Sequence, residues 1–375
     1  MSKLNVGIVG LGFGKEFIRI YQNHPNVDKV AICTRNPNTL REAGEEFGIE
    51  EALRFGSIDE MIACDALDAI HIVTPIAEHA PQSLKCLNAG KHTACTVPMA
   101  TTVEECKAIV EASQANHRSY MMMETAVYTR EYLYVKNLVD SGKLGRVQFV
   151  RGSHMQNMGL EGWPEYWLGL PPFHYGTHAI APLTCVIDKD IASVICHGSG
   201  RISPELAAHY GSPFAVETCT MTFRDTDVCG ETTRALYETV RQYRESFDIY
   251  GDKMAFEWDQ IEDEGGCLFG GGESARRIHA PDVVDTLPES IQPFTKREQI
   301  VDVNHVSFIQ GAGHGGSHPH LVHEFVSAIL EGRSPAIDAV RSANITCAGI
   351  CAHNSAMQGG QRVALPEFTL RRAAR

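Results

Sequence analysis

The amino-acid sequence predicts an α/β protein in two parts: an N-terminal doubly wound parallel sheet, then an α+β domain built on a mostly antiparallel open sheet. Three observations carry this prediction. Over residues 4–123 short apolar runs alternate with amphipathic stretches, the rhythm of parallel strands joined by crossover helices. A glycine-rich turn, Val9-Gly10-Leu11-Gly12-Phe13-Gly14-Lys15, falls where the first strand meets the first helix. Beyond residue 124 strands follow one another, and two helices close the chain. A length of 375 residues suits two domains at roughly 100–200 residues each. The change of rhythm divides them as 1–124 and 125–375, with the final helices packing back on the first domain.

Each element has a local reason. Residues 4–9 form a short apolar strand, and Phe17, Ile18 and Tyr21 give the next stretch a helical period. Val30 to Cys33 is a second buried strand, and 39–47 is helical. Ser57 with Glu60 is a capping box that opens a short helix. A third strand over 69–73 stops at Thr74-Pro75, a helix over 79–89 ends at Gly90, and 92–95 is a fourth strand. Thr102 with Glu105 is a second capping box, its helix reaching Ala115, and 120–123 is a fifth strand. A helix over 129–141 ends at Ser141-Gly142. Strands are predicted over 146–154, 192–200, 215–224, 229–238, 246–250 and 254–258. The glycines of 265–272 predict a flexible, exposed loop, and helices are predicted over 319–331 and 338–358.

Composition excludes several functions. Apolar residues make up 43% and charged residues 21%, the balance of a globular chain. With 33 basic against 46 acidic residues the formal charge is −13. No Lys/Arg surplus exists to follow a phosphate backbone, so nucleic acid is not an expected partner. No apolar run reaches the roughly 18 residues of a membrane helix. The first strand pattern begins at Leu4 without a leader, so a cytoplasmic protein is expected. The twelve cysteines include no Cys-x-x-Cys pair and lie in apolar stretches, which predicts reduced core thiols. Cys347 and Cys351 share a helix face and read as packing.

The glycine turn predicts a dinucleotide site. Gly10 permits the tight turn, Gly12 lets backbone approach a pyrophosphate, and the helix N-terminus supplies free N–H groups. The third glycine of the usual fingerprint is replaced by Lys15, with Gly14 just before it. The second strand ends in Thr34-Arg35 rather than in an acid. Thr34 suits a ribose hydroxyl and Arg35 suits a 2′-phosphate, so NAD is expected and NADP is not excluded.

The chain resembles, over its whole length, the Gfo/Idh/MocA family of NAD(P)-dependent sugar oxidoreductases. The motifs are residues 6–14, Asp68-Ala69-Ile70-His71-Ile72-Val73-Thr74-Pro75, Ala89-Gly90-Lys91-His92, Val97-Pro98-Met99-Ala100-Thr101-Thr102 and Ser141-Gly142-Lys143-Leu144-Gly145. The resemblance implies a Rossmann first domain holding the cofactor through Gly10, Gly12, Phe13, Gly14, Thr34, Arg35, Thr74, Pro75, His79, Thr96, Val97 and Pro98. It also implies a sugar or glycoside bound between cofactor and second domain. A homodimer or homotetramer formed through the open sheet would follow.

Departures from the family pattern narrow the reading. Family dehydrogenases carry Glu-Lys-Pro after the fourth strand, where this chain has Thr96-Val97-Pro98. They carry an Asp four residues before the catalytic His, where this chain has His174 before His178. The altered pattern is similar to a subset containing NAD-dependent glycoside hydrolases and glycoside 3-oxidases. Glu124, Tyr128 and Arg130 match its Glu…Tyr-x-Arg run, Tyr175-Gly176-Thr177-His178 its Tyr-x-Thr-His segment, and Gly313-His314-Gly315-Gly316 its Gly-His-Gly-Gly run. The glycosidases have Glu where this chain has Thr96.

Removing hydride from a secondary alcohol requires a base for the hydroxyl proton, and histidine has an unperturbed pKa near neutral pH, about 6.5. His178 is the candidate base. His174 either orients it, touches sugar or faces solvent. Tyr128 is a candidate proton relay if a cation such as Arg130 lowers its pKa, and otherwise an aromatic wall. Arg130, Tyr175, Trp163, Trp167, Glu124 and His314 are candidate sugar contacts, the tryptophans by stacking on a pyranose face. His314, His318, His320 and His323 crowd ten residues, but 311–316 is too glycine-rich for a helix. No metal site is assigned. Three functions remain open: a sugar or glycoside dehydrogenase acting at carbon 3, a redox-assisted glycosidase that recycles its NAD, and a non-catalytic sugar or nucleotide sensor.

Overall fold

The computed structural model describes residues 3–160, 163–261, 264–295 and 312–369. The first sheet contains β1 (Leu4–Val9), β2 (Val27–Cys33), β3 (Arg54–Phe55), β4 (Ala69–Ile72), β5 (His92–Cys95) and β6 (Tyr120–Met122). These strands run parallel in the order β3-β2-β1-β4-β5-β6. They are joined through α1 (Lys15–Asn23), α2 (Pro37–Glu46), α3 (Ile58–Ile62), α4 (His79–Asn88) and α5 (Val103–Ala115). Helices on both faces explain why β4 is buried at all four positions and reads as an apolar run rather than an alternation. At Thr102 both halves of the capping box form. At Ser57 only one does: its hydroxyl accepts from the Glu60 amide, while the Glu60 carboxylate accepts from Gly56. The strand order reverses between β1 and β4, which opens a crevice at their carboxyl ends, the ligand site of doubly wound sheets.

The remaining elements are α6 (Arg130–Asp140), β7 (Val147–Gln156), α7 (Thr177–Ile187), β8 (Ile191–Ser199), α8 (Pro204–Tyr210), β9 (Val216–Phe223), β10 (Cys229–Ala235), β11 (Tyr243–Gly251), β12 (Met254–Glu257), β13 (Gly266–Gly270), β14 (Glu273–Ile278), α9 (His318–Glu331), α10 (Ala339–Met357) and β15 (Val363–Ala364). The strands form a second sheet in the order β14-β13-β12-β11-β7-β10-β9-β8-β15. Only the β7–β10 pairing is parallel. α10 packs on β8 and on α5, and α9 packs on α1, so the C-terminal helices touch the first sheet's helical layer.

Two expectations are corrected. The glycine-rich segment 265–272 is not a loop but most of a hairpin. Gly266–Gly270 pairs with both β12 and β14, Leu268 is buried, and Gly270, Gly271 and Gly272 take the positive φ of its turn. α7 escaped prediction because nine of its eleven residues are buried, and a helix buried all round shows no amphipathic period. α7 lies against β7, where a Cβ on Gly152 would stand 2.1 Å from the Ala179 carbonyl oxygen. That close approach brings His178 onto the sheet. Of the glycine-rich run 311–316, residue 311 lies outside the described residues, and Ala312–Gly316 forms a 3-10 turn. All twelve cysteines are free thiols, eight of them buried. No helix among the described residues is long and apolar enough to cross a membrane.

Candidate active site

The turn after β1, the loop after β4, the triplet after β5 and the segment leading into α7 enclose a cleft of ≈ 850 Å³. Gly10 holds φ at +94°, and a Cβ there would lie 2.2 Å from the Val73 carbonyl oxygen, so only glycine makes this turn. A Cβ on Gly12 would meet nothing within 4 Å, which leaves clear space beside the first N–H groups of α1. A Cβ on Gly14 would lie 2.1 Å from the Gly10 carbonyl oxygen. Gly14 therefore provides the close helix–strand packing that the fingerprint gives to its third glycine. Lys15 is free to turn outward and pairs with Glu46 at 3.1 Å. Thr34 and Arg35 line the cleft at the end of β2. His79 ties two walls together, with Nδ1 2.7 Å from the Pro98 carbonyl and Nε2 2.8 Å from that of Thr74. Thr96 donates to the Ile72 carbonyl, and Val97, Thr74, Pro75 and Phe13 also line the cleft. The open space at Gly12, the helix N-terminus and the uncharged Thr34 fit a bound dinucleotide.

His178 stands at the first turn of α7, on the cleft wall and 3% exposed. Its Nδ1 lies 2.5 Å from Glu124 Oε1, and its Nε2 lies 3.2 Å from the Tyr175 hydroxyl. Glu124 follows β6, is fully buried, and caps the turn over Thr125–Val127 by accepting from the Ala126 amide. Burial pushes the His178 imidazole down, but the Glu124 and Glu245 carboxylates outweigh it and its pKa is raised above the usual histidine value. Arg234 is the largest fully buried side chain. It donates to the Tyr175, His154 and Ala235 carbonyls and to Gln156 Oε1, and its guanidinium lies 5.2 Å from the Tyr175 ring centroid. Burial lowers its pKa to about 10. His154 faces Glu245 across the β7–β11 register. Its ring lies 5.1 Å from that of His178, and neither of its nitrogens has a hydrogen-bond partner among the described residues.

Several residues chosen from sequence stand elsewhere. His174 and His178 do not share a helix face, because Pro172–Tyr175 is a separate 3-10 turn that ends at Gly176. His174 stacks edge-on against His353 at 5.1 Å, outside the cleft lining, and burial together with His353 lowers its pKa to about 4. Tyr128 lines a different cavity with Lys136 and Arg341, and stacks on His320. Burial, then Glu324, raises its pKa well above the usual tyrosine value. Arg130 does not serve it: its guanidinium pairs with Asp282, donates to the Thr295 carbonyl at 2.8 Å and lines a third cavity of ≈ 190 Å³. Glu124 meets His178 rather than the cleft. Tyr175, Trp163, Trp167 and His314 do line the cleft, joined by Tyr166. Tyr237 anchors the aromatic segment by donating to the Trp167 and Leu170 carbonyls. The four crowded histidines diverge: His314 Nδ1 meets His318 Nε2 at 3.1 Å, His318 Nδ1 meets Glu16 at 3.3 Å, His320 stacks on Tyr128, and His323 Nδ1 meets His24 Nε2 at 3.0 Å. His154 and Arg234 were missed, since polar residues on predicted strands read as an ordinary solvated face; Gln156 and Glu245 lie just beyond the predicted ends of β7 and β11.

Comparison with known proteins bears on this cleft. Residues 4–124 match the family model described as "Oxidoreductase family, NAD-binding Rossmann fold", and residues 132–257 match "GFO/IDH/MocA C-terminal domain". The chain is similar to "Glycosyl hydrolase family 109 protein 1" of Phocaeicola vulgatus, at 24% identity over 414 residues, covering 98% of this chain and 84% of that protein. It is 27% identical over 207 residues to a "Glycosyl hydrolase family 109 protein" of Shewanella pealeana, covering 49% of this chain and 44% of that protein. It thus spans less than half the length of that relative. Levoglucosan dehydrogenase in complex with NADH superposes with a TM-score of 0.79 at 20% identity, covering 98% of this chain and 100% of the other.

Proposed function

Because the chain belongs to the Gfo/Idh/MocA oxidoreductase family and its first domain is an NAD-binding Rossmann domain, we propose that it removes hydride from a secondary hydroxyl carbon of a sugar or glycoside, carbon 3 by preference. In this reading His178 takes the hydroxyl proton. Residues 1–124 hold the dinucleotide through Gly10, Gly12, Gly14, Thr34 and Arg35, and residues 125–375 supply the sugar site and the contact between subunits of a homodimer or homotetramer. The observation that carries the proposal is the Glu124–His178–Tyr175 chain on the cleft wall. NAD, when bound, supplies the hydride acceptor. Glu124 fixes the imidazole so that Nδ1–H donates to the carboxylate and the Nε2 lone pair remains for an incoming proton. The Tyr175 hydroxyl holds that lone pair until a sugar hydroxyl replaces it. Glu124 and Glu245 then stabilise the imidazolium, and Arg234 holds Tyr175 in place. Val97 can neither take nor give a proton, which leaves His178 alone of the three polar groups usual in the family. Trp163, Tyr166 and Trp167 form the wall against which a pyranose face stacks.

Similarity to a glycosyl hydrolase family 109 protein over 98% of the chain favours a second reading, in which the same oxidation is internal to glycoside cleavage. The ketone at carbon 3 acidifies the neighbouring C–H, the anomeric group is eliminated, water adds, and the hydride returns to carbon 3. Stoichiometry separates the two. With an aryl glycoside and NAD⁺, net oxidation yields NADH in step with turnover and no aglycone, whereas internal recycling yields aglycone over many turnovers without NADH. His178→Ala should lower either rate by about 10²–10⁴-fold while NAD⁺ binding persists. An unchanged rate would remove His178 from the reaction.

A further inference from the structure

His154, His178 and Glu245 bring one nitrogen or oxygen donor each within 4.8 Å of one another. The three residues come from β7, α7 and β11, and two features of the fold hold them together. Glu245 lies directly across the strand register from His154, and Gly152 lets α7 settle on β7. His154 is 1% exposed and both its ring nitrogens lack a hydrogen-bond partner among the described residues. A buried imidazole in that state requires a reason, and a ligand bond is one.

The charges nearby point to a cation. Glu124 and Glu245 bring two carboxylates. The Arg234 guanidinium spends its N–H groups on the Tyr175, His154 and Ala235 carbonyls and on Gln156, and donates to neither acid. Of the arginines that line the smaller cavity with Glu245, Arg130 pairs with Asp282, and Arg241 and Arg244 donate to the Gln260 and Asp259 carbonyls. Glu124 against His178 is also the arrangement in which a carboxylate orients a metal-ligating histidine. We propose that His154, His178 and Glu245 form a binding site for a transition-metal dication of the zinc type. Two imidazoles and one carboxylate select such an ion over Mg²⁺ or Ca²⁺, which prefer all-oxygen shells. Three donors at roughly 2.0–2.2 Å from one tetrahedral ion stand about 3.3–3.6 Å apart, so side-chain rotation must draw donors that now lie within 4.8 Å of one another closer by up to about 1.5 Å. Glu245 lines the smaller cavity, His178 lines the cleft, and His314 lines both, which gives the ion two routes in. Three protein ligands leave a position for water or a sugar hydroxyl.

A neutral imidazole bound to an ion carries its remaining proton on the other nitrogen. It then has no lone pair left for a proton from a sugar. On the reaction proposed above, which this consequence alone rests on, the ion inhibits turnover.

The test uses the full chain stripped with EDTA and titrated with Co²⁺ and Zn²⁺ by calorimetry and visible absorption, without sugar. One equivalent of Co²⁺ should bind with the absorption of a four- or five-coordinate ion and be displaced by Zn²⁺, while Mg²⁺ should not compete. His154→Gln and Glu245→Gln, each verified by circular dichroism and NAD⁺ binding, should weaken binding by at least about 10–100-fold, the loss expected when even a residue that only orients a ligand is removed. Absence of saturable binding, or wild-type affinity in both variants, would overturn the site. Bound Zn²⁺ that leaves sugar-dependent NADH formation unchanged would keep the site and remove His178 from the proposed reaction.

Discussion

His71 offers a stability test that depends on no assumption about substrate. It lies in β4 with its side chain fully buried, its ring 4.7 Å from that of Phe17, and its Nδ1 3.3 Å from the Tyr21 hydroxyl. Its Nε2 has no partner among the described residues. Burial lowers its pKa to about 3 from 6.5. The folded protein therefore refuses a proton that the unfolded chain accepts. The contribution to stability is intact above pH 6.5 and is lost progressively as pH falls from 6.5 towards 3. Near pH 5 the unfolded histidine is about 1.5 units below its pKa while the folded one has barely begun to titrate, so the loss is about 2 kcal/mol, at 1.36 kcal/mol per unit. His71→Leu conserves the approximate volume and removes the titration. It leaves the Tyr21 hydroxyl without this partner, at a cost of about 1–3 kcal/mol near pH 7. Urea unfolding of both proteins near pH 7 and pH 5 measures the difference. The other buried histidines are common to both and cancel, apart from the small share of the His318 depression that His71 contributes. The wild type should lose about 2 kcal/mol more than the variant between the two conditions. Equal losses would refute the claim that His71 is held neutral by burial.

Two further outcomes concern the cleft. Gly10→Ala places a Cβ 2.2 Å from the Val73 carbonyl oxygen at φ +94°; the turn must open, at a cost of about 1–3 kcal/mol in backbone strain alone, and NAD⁺ titration followed by tryptophan fluorescence should show lost or much weakened binding. Glu124→Gln removes the carboxylate that lifts the His178 pKa against burial, so the pH at which oxidation reaches half its maximum should move down; an unmoved midpoint in the pH–rate profile would show that the pair does not set the proton acceptor.

How much could be read in the chain beforehand depended on whether an element carried a local signal. The strands of the first sheet and their helices were legible because each is short, apolar and closed by a cap or breaker, as at Thr102 and Gly90. Gly10 and Gly12 were legible because a phosphate turn needs backbone rather than side chains. The role of Gly14 was not, since it depends on contact with the Gly10 carbonyl that no spacing rule reveals. α7 lacked an amphipathic period, and with it went the relation between His174 and His178. Tyr128 and Arg130 were misplaced for a related reason: two residues after a strand do not say which side of α6 the chain will pass. Glu124 was recognised as unusual, but its partner lies 54 residues away, beyond any local pattern.

The loss of the family's lysine and aspartate has a structural counterpart in that pairing. The family resemblance implies that dehydrogenases of this kind place a lysine from the triplet after β5 beside the reacting groups. Here that triplet offers a threonine engaged with backbone and a valine, and the histidine on α7 is instead held by a carboxylate that follows β6. β5 and β6 are adjacent parallel strands, so the replacement stays on the same carboxyl edge that carries the nucleotide turn. On the proposed reading, the position of the proton acceptor is thereby tied to the sheet that positions the hydride acceptor, although the imidazole itself belongs to the second domain. A shift of α7 relative to β6 would then disturb both proton transfer and the Glu124–His178 contact, while leaving the Gly10 turn untouched.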